Sequence, residues 1–226
     1  MKIDKKIIAD FFNEEPVVLL IGQSAGGKGT HATNIINLYN ELFPGKAYLK
    51  SDTGQLLRDG FDRMSDYVGI PLKAHQSKGL LQDPMTAVYV WMKNYYERYR
   101  GGPIIVDGSP RSQQEALLFH QFYSDFLRKE IVGIHLEVSD QEADRRMQAR
   151  DKMSVDQGKE PRADTATASA RAEKIKFFHT SVLPAIHVIE QLGVQVYRID
   201  SNRPIDTVSH DVLACLTHHA RKELFL

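Results

Sequence analysis

One stretch concentrates residue types that do chemistry: VVLLIGQSAGGKGTHATNII, residues 17–36, runs from aliphatic side chains into four glycines and a single lysine. Within it, Gly22-Gln23-Ser24-Ala25-Gly26-Gly27-Lys28 reads as the end of a strand, a glycine-rich turn and a Gly-Lys pair opening a helix. Glycines let backbone N–H groups turn inward around phosphate oxygens, the helix N-terminus adds partial positive charge, and Lys28 supplies a point charge to β- and γ-phosphates. The pattern predicts a nucleoside triphosphate site and is silent about an acceptor. A second concentration is DRRMQAR (144–150), whose Arg146 and Arg150 stand one helical turn apart and so share a face. His31, His135, His179 and His187 show no metal-ligand spacing, His218-His219 sits in a polar tail, and Cys215 reads as a small core residue.

These residues need elements to position them. Apolar runs rich in Val and Ile recur at 16–22, 46–51, 103–108, 131–138 and 194–200, and alternate with segments of helical period such as 85–99 and 204–219. Runs apolar on both faces and separated by helices describe a parallel sheet covered on both sides. The expected fold is therefore α/β, a P-loop three-layer sandwich with a five-stranded parallel sheet. Residues 3–14 read as an amphipathic helix packed through Ile3, Ile7, Ile8, Phe11 and Phe12. Two stretches leave the alternation: a helix-rich excursion at 53–83 and a polar loop at 150–164, both candidates for moving parts because loops at the carboxyl ends of parallel strands bind ligands.

The whole chain sets bounds. Its 226 residues allow a single domain with a sizeable core. With 29 basic against 29 acidic residues, no net field recommends nucleic acid or membrane as a partner. One cysteine leaves no internal disulfide and fits a reducing compartment. The N-terminus reads as neither signal peptide nor anchor, and no segment reaches the roughly 18 apolar residues of a membrane span. A cytoplasmic monomer is expected.

Three segments taken together, GQSAGGKGT, SDTGQLLR and DGSPRSQQEA, resemble the adenylate kinase family of nucleoside monophosphate kinases, in order and at family-like separations. The resemblance runs to the last helix and omits only the first dozen residues. It implies one kinase domain over 1–226, with an acceptor-binding insertion at about 52–83 and a short lid at about 151–163. It implies an ATP site from Ala25, Gly26, Gly27, Lys28, Gly29, Thr30, Arg146, Arg150 and Arg203, the last in RIDSNRP. The acceptor nucleotide would lie against Thr53, Arg58, Gly79, Leu80, Leu81, Gly108, Ser109, Pro110, Arg111 and Glu115. Asp107 would orient Mg²⁺ through water, since that ion keeps several waters and takes few carboxylates. Lys28, Arg111, Arg146, Arg162 and Arg171 would carry catalysis, because phosphoryl transfer asks the protein for positioning and positive charge rather than covalent work.

Departures from the family pattern bear on substrate and metal. Ser24 and Ala25 replace Pro and Gly, and the methyl of Ala25 is tolerable only at negative φ. Asp52 and Gln55 stand where Ser and Asp are usual, moving a carboxylate near the metal. Ser109 replaces an aromatic, and Glu115 replaces a base-reading Gln; an ionised carboxylate only accepts hydrogen bonds, so the base edge would be read differently. Arg162 and Arg171 lie closer together than the family's pair, and counting back from Pro184 points instead to Lys174. Arg171 is favoured because a planar fork suits shared phosphate contacts. A lid this short without a Cys or His cluster implies no zinc. The leading expectation is phosphoryl transfer from Mg·ATP to a nucleoside monophosphate, AMP first. A pyrimidine (UMP or CMP) kinase, motivated by Ser109 and Glu115, and a nucleotide-binding regulator without turnover are the rivals.

Overall fold

A computed structural model describes residues 3–60, 83–158, 160–162 and 164–223, without the side chains of Arg58 and Glu223. Its centre is strand β1 (Val17–Gly22), an unbroken aliphatic run. Because strand side chains alternate, Val18 and Leu20 enter one core while Val17, Leu19 and Ile21 enter another on the opposite face. Both cores need a helical cover, and the chain supplies one to each.

The first core is closed by α1 (Lys5–Asn13), α2 (Lys28–Leu42) and α9 (Ile205–Glu223), through Ile8, Phe12, Ile35, Val212 and Leu216. Opposite them lie α4 (Pro84–Arg98), α5 (Gln113–His120) and α8 (Leu183–Gln191), packed through Trp91, Phe119, Ile186 and Ile189. The result is the expected three-layer α/β sandwich. Between the helices run β2 (Leu49–Asp52), β3 (Ile104–Asp107), β4 (Ile131–Glu137) and β5 (Gln195–Asp200), in the order β2-β3-β1-β4-β5 with every pairing parallel.

The expected N-terminal helix is present, capped by Asp4, with Ile8, Phe11 and Phe12 buried and Ile3 and Ile7 packed alongside. Short α3 (Thr53–Gly60) follows β2 directly. Most of the excursion at 53–83 lies outside the described residues. The polar segment at 150–164 differs from expectation, because its first part continues α6 (Asp140–Asp156). Ser139 caps that helix, Asp140 and Glu142 occupy its positively polarised first turn, and Glu142 pairs with both Arg145 and Arg146. A helix held by caps and charge pairs has no apolar stripe to betray it, and its polarity read as loop. Helix α7 (Ala168–Phe177) then leads through a wide π-type turn (Phe178–Val182) into α8.

After β3 the chain crosses from one side of β1 to the other. Loops leaving β1, β3 and β4 at their carboxyl ends therefore diverge and leave a crevice between them. Among the described residues, no helix is long and apolar enough to cross a membrane.

Candidate functional site

The glycine-rich turn joins β1 to α2 at that crevice. Gly22 passes so close to β4 that a Cβ there would lie 2.5 Å from the carbonyl oxygen of Leu136, so the strand can leave the sheet at that point only as glycine. Gly27, at φ 93, ends the turn and caps α2 without a side chain. That keeps the helix N-terminus clear for an anion. Lys28 folds back along the turn, its Nζ donating to the carbonyls of Gly22 (3.0 Å) and Gln23 (2.8 Å). Burial lowers its pKa, and the Asp107 carboxylate opposes that shift.

Neighbouring elements brace the turn. Ser201 Oγ donates to the Gly26 carbonyl at 2.9 Å, and Gln23 Nε2 donates to Asp140 Oδ1 at 2.7 Å. Ala25 departs from expectation: it adopts φ 60, the left-handed region, rather than a negative angle. The turn reverses direction there, and its bracing holds an alanine where the backbone conformation costs about 1–2 kcal/mol.

A cavity of about 810 Å³ opens beyond the turn, lined by Ala25 to Thr30 and by Asp52, Asp107 and Gly108 at the ends of β2 and β3. Arg111, Arg146, Arg150, Arg162 and Lys174 bring positive charge to its wall. Arg146 donates from Nη2 to the carbonyl of Ser201 and from Nε to Glu142, both at 2.7 Å, which ties α6 to the segment bracing the glycine-rich turn. Arg150 reaches Thr165 Oγ1 at 3.0 Å. Arg203 borders an adjoining cavity of about 500 Å³ shared with Ala25, Gly27, Thr30 and Arg146, and pairs with Asp211 at 2.8 Å.

Arg171 and Glu115 sit elsewhere than expected, and Thr53, fully buried, is likewise absent from the cavity wall. Arg171 does not line the cavity: its guanidinium pairs with Asp144 at 2.6 Å and with the carbonyl of Thr165 at 3.2 Å. Lys174, one turn along α7, faces the cavity instead and pairs with Asp164 at 2.7 Å. Burial lowers the Lys174 pKa while Asp164 pulls against that, and Asp164, although burial raises it, is held below the usual carboxylate range by Lys174. Of the two positions offered in sequence, Lys174, reached by counting back from Pro184, lines the cavity, and the favoured Arg171 does not.

Glu115 is the other. It is 1% exposed and absent from the cavity wall, and its Oε2 accepts the backbone N–H of Arg111 at 2.7 Å. Ser112 Oγ accepts the Glu115 N–H at 3.2 Å, so Ser112 and Glu115 form a capping arrangement at the start of α5. That Ser-x-x-Glu spacing was readable in the sequence and identifies the carboxylate as a loop brace. Ser109, 1% exposed, shares a 2.6 Å hydrogen bond with buried Thr53 and borders, with Pro110, a small cavity of about 90 Å³. The backbone of Arg58 lies in α3, but its side chain, like Gly79, Leu80 and Leu81, falls outside the described residues.

Asp107 is 8% exposed, lines the cavity and has no hydrogen-bond or ion-pair partner among the described residues. Burial raises its pKa and Lys28 opposes the rise. A buried carboxylate left open toward a cavity fits a hard divalent cation that keeps most of its waters. Among the described residues, no three His, Cys, Asp or Glu side chains converge to form a fuller metal cage. Compared with known proteins, the chain matches no family model and no curated protein.

Proposed function

We propose that this protein is a nucleoside monophosphate kinase that transfers the γ-phosphoryl group of ATP to a nucleoside monophosphate, AMP first, as a cytoplasmic monomer. The observation that carries the proposal is the junction of β1 and α2: a glycine-built anion cradle with one lysine, opening into a cavity walled by Arg111, Arg146, Arg150, Arg162 and Lys174.

In this reading the N–H groups at the start of α2 and the Lys28 ammonium hold the donor's β- and γ-phosphates. Arg203 and the adjoining cavity take the donor base side. Arg111, with Arg58 from the insertion, holds the acceptor phosphate, whose oxygen is itself the nucleophile, so no general base is required. Arg146, Arg150, Arg162 and Lys174 offset the charge that spreads over the transferring group, which is where such sites gain most of their rate. Mg²⁺, held through water by Asp107, would neutralise donor phosphate charge and polarise the transferring group. The pyrimidine alternative draws on Ser109 and Glu115; Ser109 borders a cavity with Arg111, whereas Glu115 is buried and accepts the Arg111 N–H, so the base-reading role that motivates the alternative has less to stand on at Glu115.

ADP formation measured with AMP, UMP, CMP and GMP in turn tests the proposal. Turnover with at least one acceptor, reduced about 10²–10³-fold in Lys28→Met, is the expected result. Nucleotide binding without turnover on any acceptor would leave a regulatory nucleotide-binding protein instead.

A further inference from the structure

His31 closes the first turn of α2, its N–H donating to the Gly27 carbonyl at 3.0 Å. The side chain is 2% exposed and lines the cavity of about 500 Å³ that also borders Gly27, Thr30 and Arg203. Its Nδ1 meets Ser209 Oγ at 3.3 Å. That hydroxyl has a single hydrogen, and the carbonyl of Ile205, which can only accept, takes it at 2.8 Å. Ser209 Oγ therefore accepts from Asn34 Nδ2, at 2.8 Å, and from His31 Nδ1. Burial and the neighbouring Arg146 both lower the His31 pKa, so the ring is neutral at neutral pH with its proton on Nδ1.

Nε2 is left as a bare acceptor. The ring edge that carries it turns to Gly27, where a Cβ would come within 3.3 Å of both Cδ2 and Nε2. Among the described residues, the bond to Ser209 is the only hydrogen bond this side chain makes. Donors border the same cavity, yet they are spent elsewhere: Arg146 on Glu142 and the Ser201 carbonyl, Arg203 on Asp211 and the Asp200 carbonyl, the Asn202 amide on Asp200. A packing role would be met by an apolar side chain without leaving a lone pair unmet at the floor of a cavity.

We infer that His31 helps to determine donor specificity, its Nε2 accepting a hydrogen bond from an N–H or O–H of the donor's nucleoside. The inference rests on the kinase reading and deepens it. This cavity shares Ala25, Gly27, Thr30 and Arg146 with the larger one, so a triphosphate held at the start of α2 directs its nucleoside here. On ATP the groups of that kind are the 6-amino group of the base and the 2′ and 3′ hydroxyls of the ribose.

Calorimetric titration with ATP and with inorganic tripolyphosphate, which has no nucleoside, tests the contact without turnover. His31→Asn keeps an amide N–H for Ser209 and removes the outer acceptor. It should weaken ATP about three- to tenfold, the worth of one hydrogen bond, and leave tripolyphosphate unchanged. His31→Gln extends an acceptor to about the place of Nε2 and should bring ATP affinity back. Purine riboside triphosphate, 2′-deoxy-ATP and 3′-deoxy-ATP separate the sources: the analogue lacking the contacted donor should bind wild type and His31→Asn equally. Unchanged ATP affinity in His31→Asn, an equal loss for tripolyphosphate, or a loss that persists with all three analogues overturns the inference. No ATP binding by the wild type would contradict both the inference and the kinase reading. A His31-dependent ATP site in a protein that turns over no nucleotide would contradict the kinase reading alone.

Discussion

Glu115 and Ala25 show how much a single side chain depends on what lies around it. Because Glu115 accepts the Arg111 N–H from a buried position and burial raises its pKa, its charge is a liability while its oxygen is needed. Glu115→Gln keeps an acceptor of the same size, so at neutral pH its denaturation midpoint should be no lower than wild type and its acceptor preference unchanged. Glu115→Ala removes the acceptor of the part-buried Arg111 N–H and should lose about 1 kcal/mol by chemical denaturation. At Ala25 the left-handed backbone predicts the opposite sign: Ala25→Gly should stabilise by about 0.5–1 kcal/mol, the relief of strain exceeding the added freedom of the unfolded chain. Lys28 and Asp107 were legible in sequence because local pattern sets their place, one opening a helix and one closing a strand. Arg171 and Lys174 share a helix, and only the position of Asp144 and Asp164 decides which of them faces the cavity.

The five strands and the terminal helices were legible as elements because periodicity and burial agree there. Helix α6 was not recognised over its last turns, where the apolar side chains, Met153 and Val155, are exposed and mark no buried face. The role of α1 was equally hidden, because an amphipathic helix does not say what it packs against. It lies in the core beneath α2 and α9, with Phe12 edge-on to Tyr39 at 5.5 Å, so Phe12→Ala should cost about 3–5 kcal/mol in a denaturant titration. Just after α1, Glu15 forms a joint with the Tyr99 hydroxyl at 2.6 Å, Lys129 at 3.0 Å and the Gly102 N–H at 3.0 Å. Burial pushes its pKa up, but these three partners more than offset that and hold it at about 2, against 4.5 when unfolded. Between those values the unfolded chain binds more protons than the folded one, so this contribution is complete above about pH 4.5 and is lost as pH falls toward 2. Thermal melts across that window should show a shallower acid dependence in Glu15→Gln than in wild type.

At the scale of the molecule, the strand order brings the glycine-rich turn, two strand-end carboxylates and a wall of cations from α6, α7 and their connection to one end of one sheet. That convergence was foreseeable in outline, since parallel strands place their exits together, whereas the exclusion of Glu115 and Arg171 from the cavity depends on packing between distant segments. On the proposed reading, phosphoryl groups move at this end of the sheet from ATP to a nucleoside monophosphate. Phosphorus-31 magnetic resonance of a mixture of ATP, Mg²⁺ and AMP with the protein follows the transferred group itself. The ATP γ resonance should decline as diphosphate resonances grow, with no matching inorganic phosphate. An unchanged spectrum with AMP and with each of the other monophosphates, or release of the γ-phosphate only as inorganic phosphate, would contradict it.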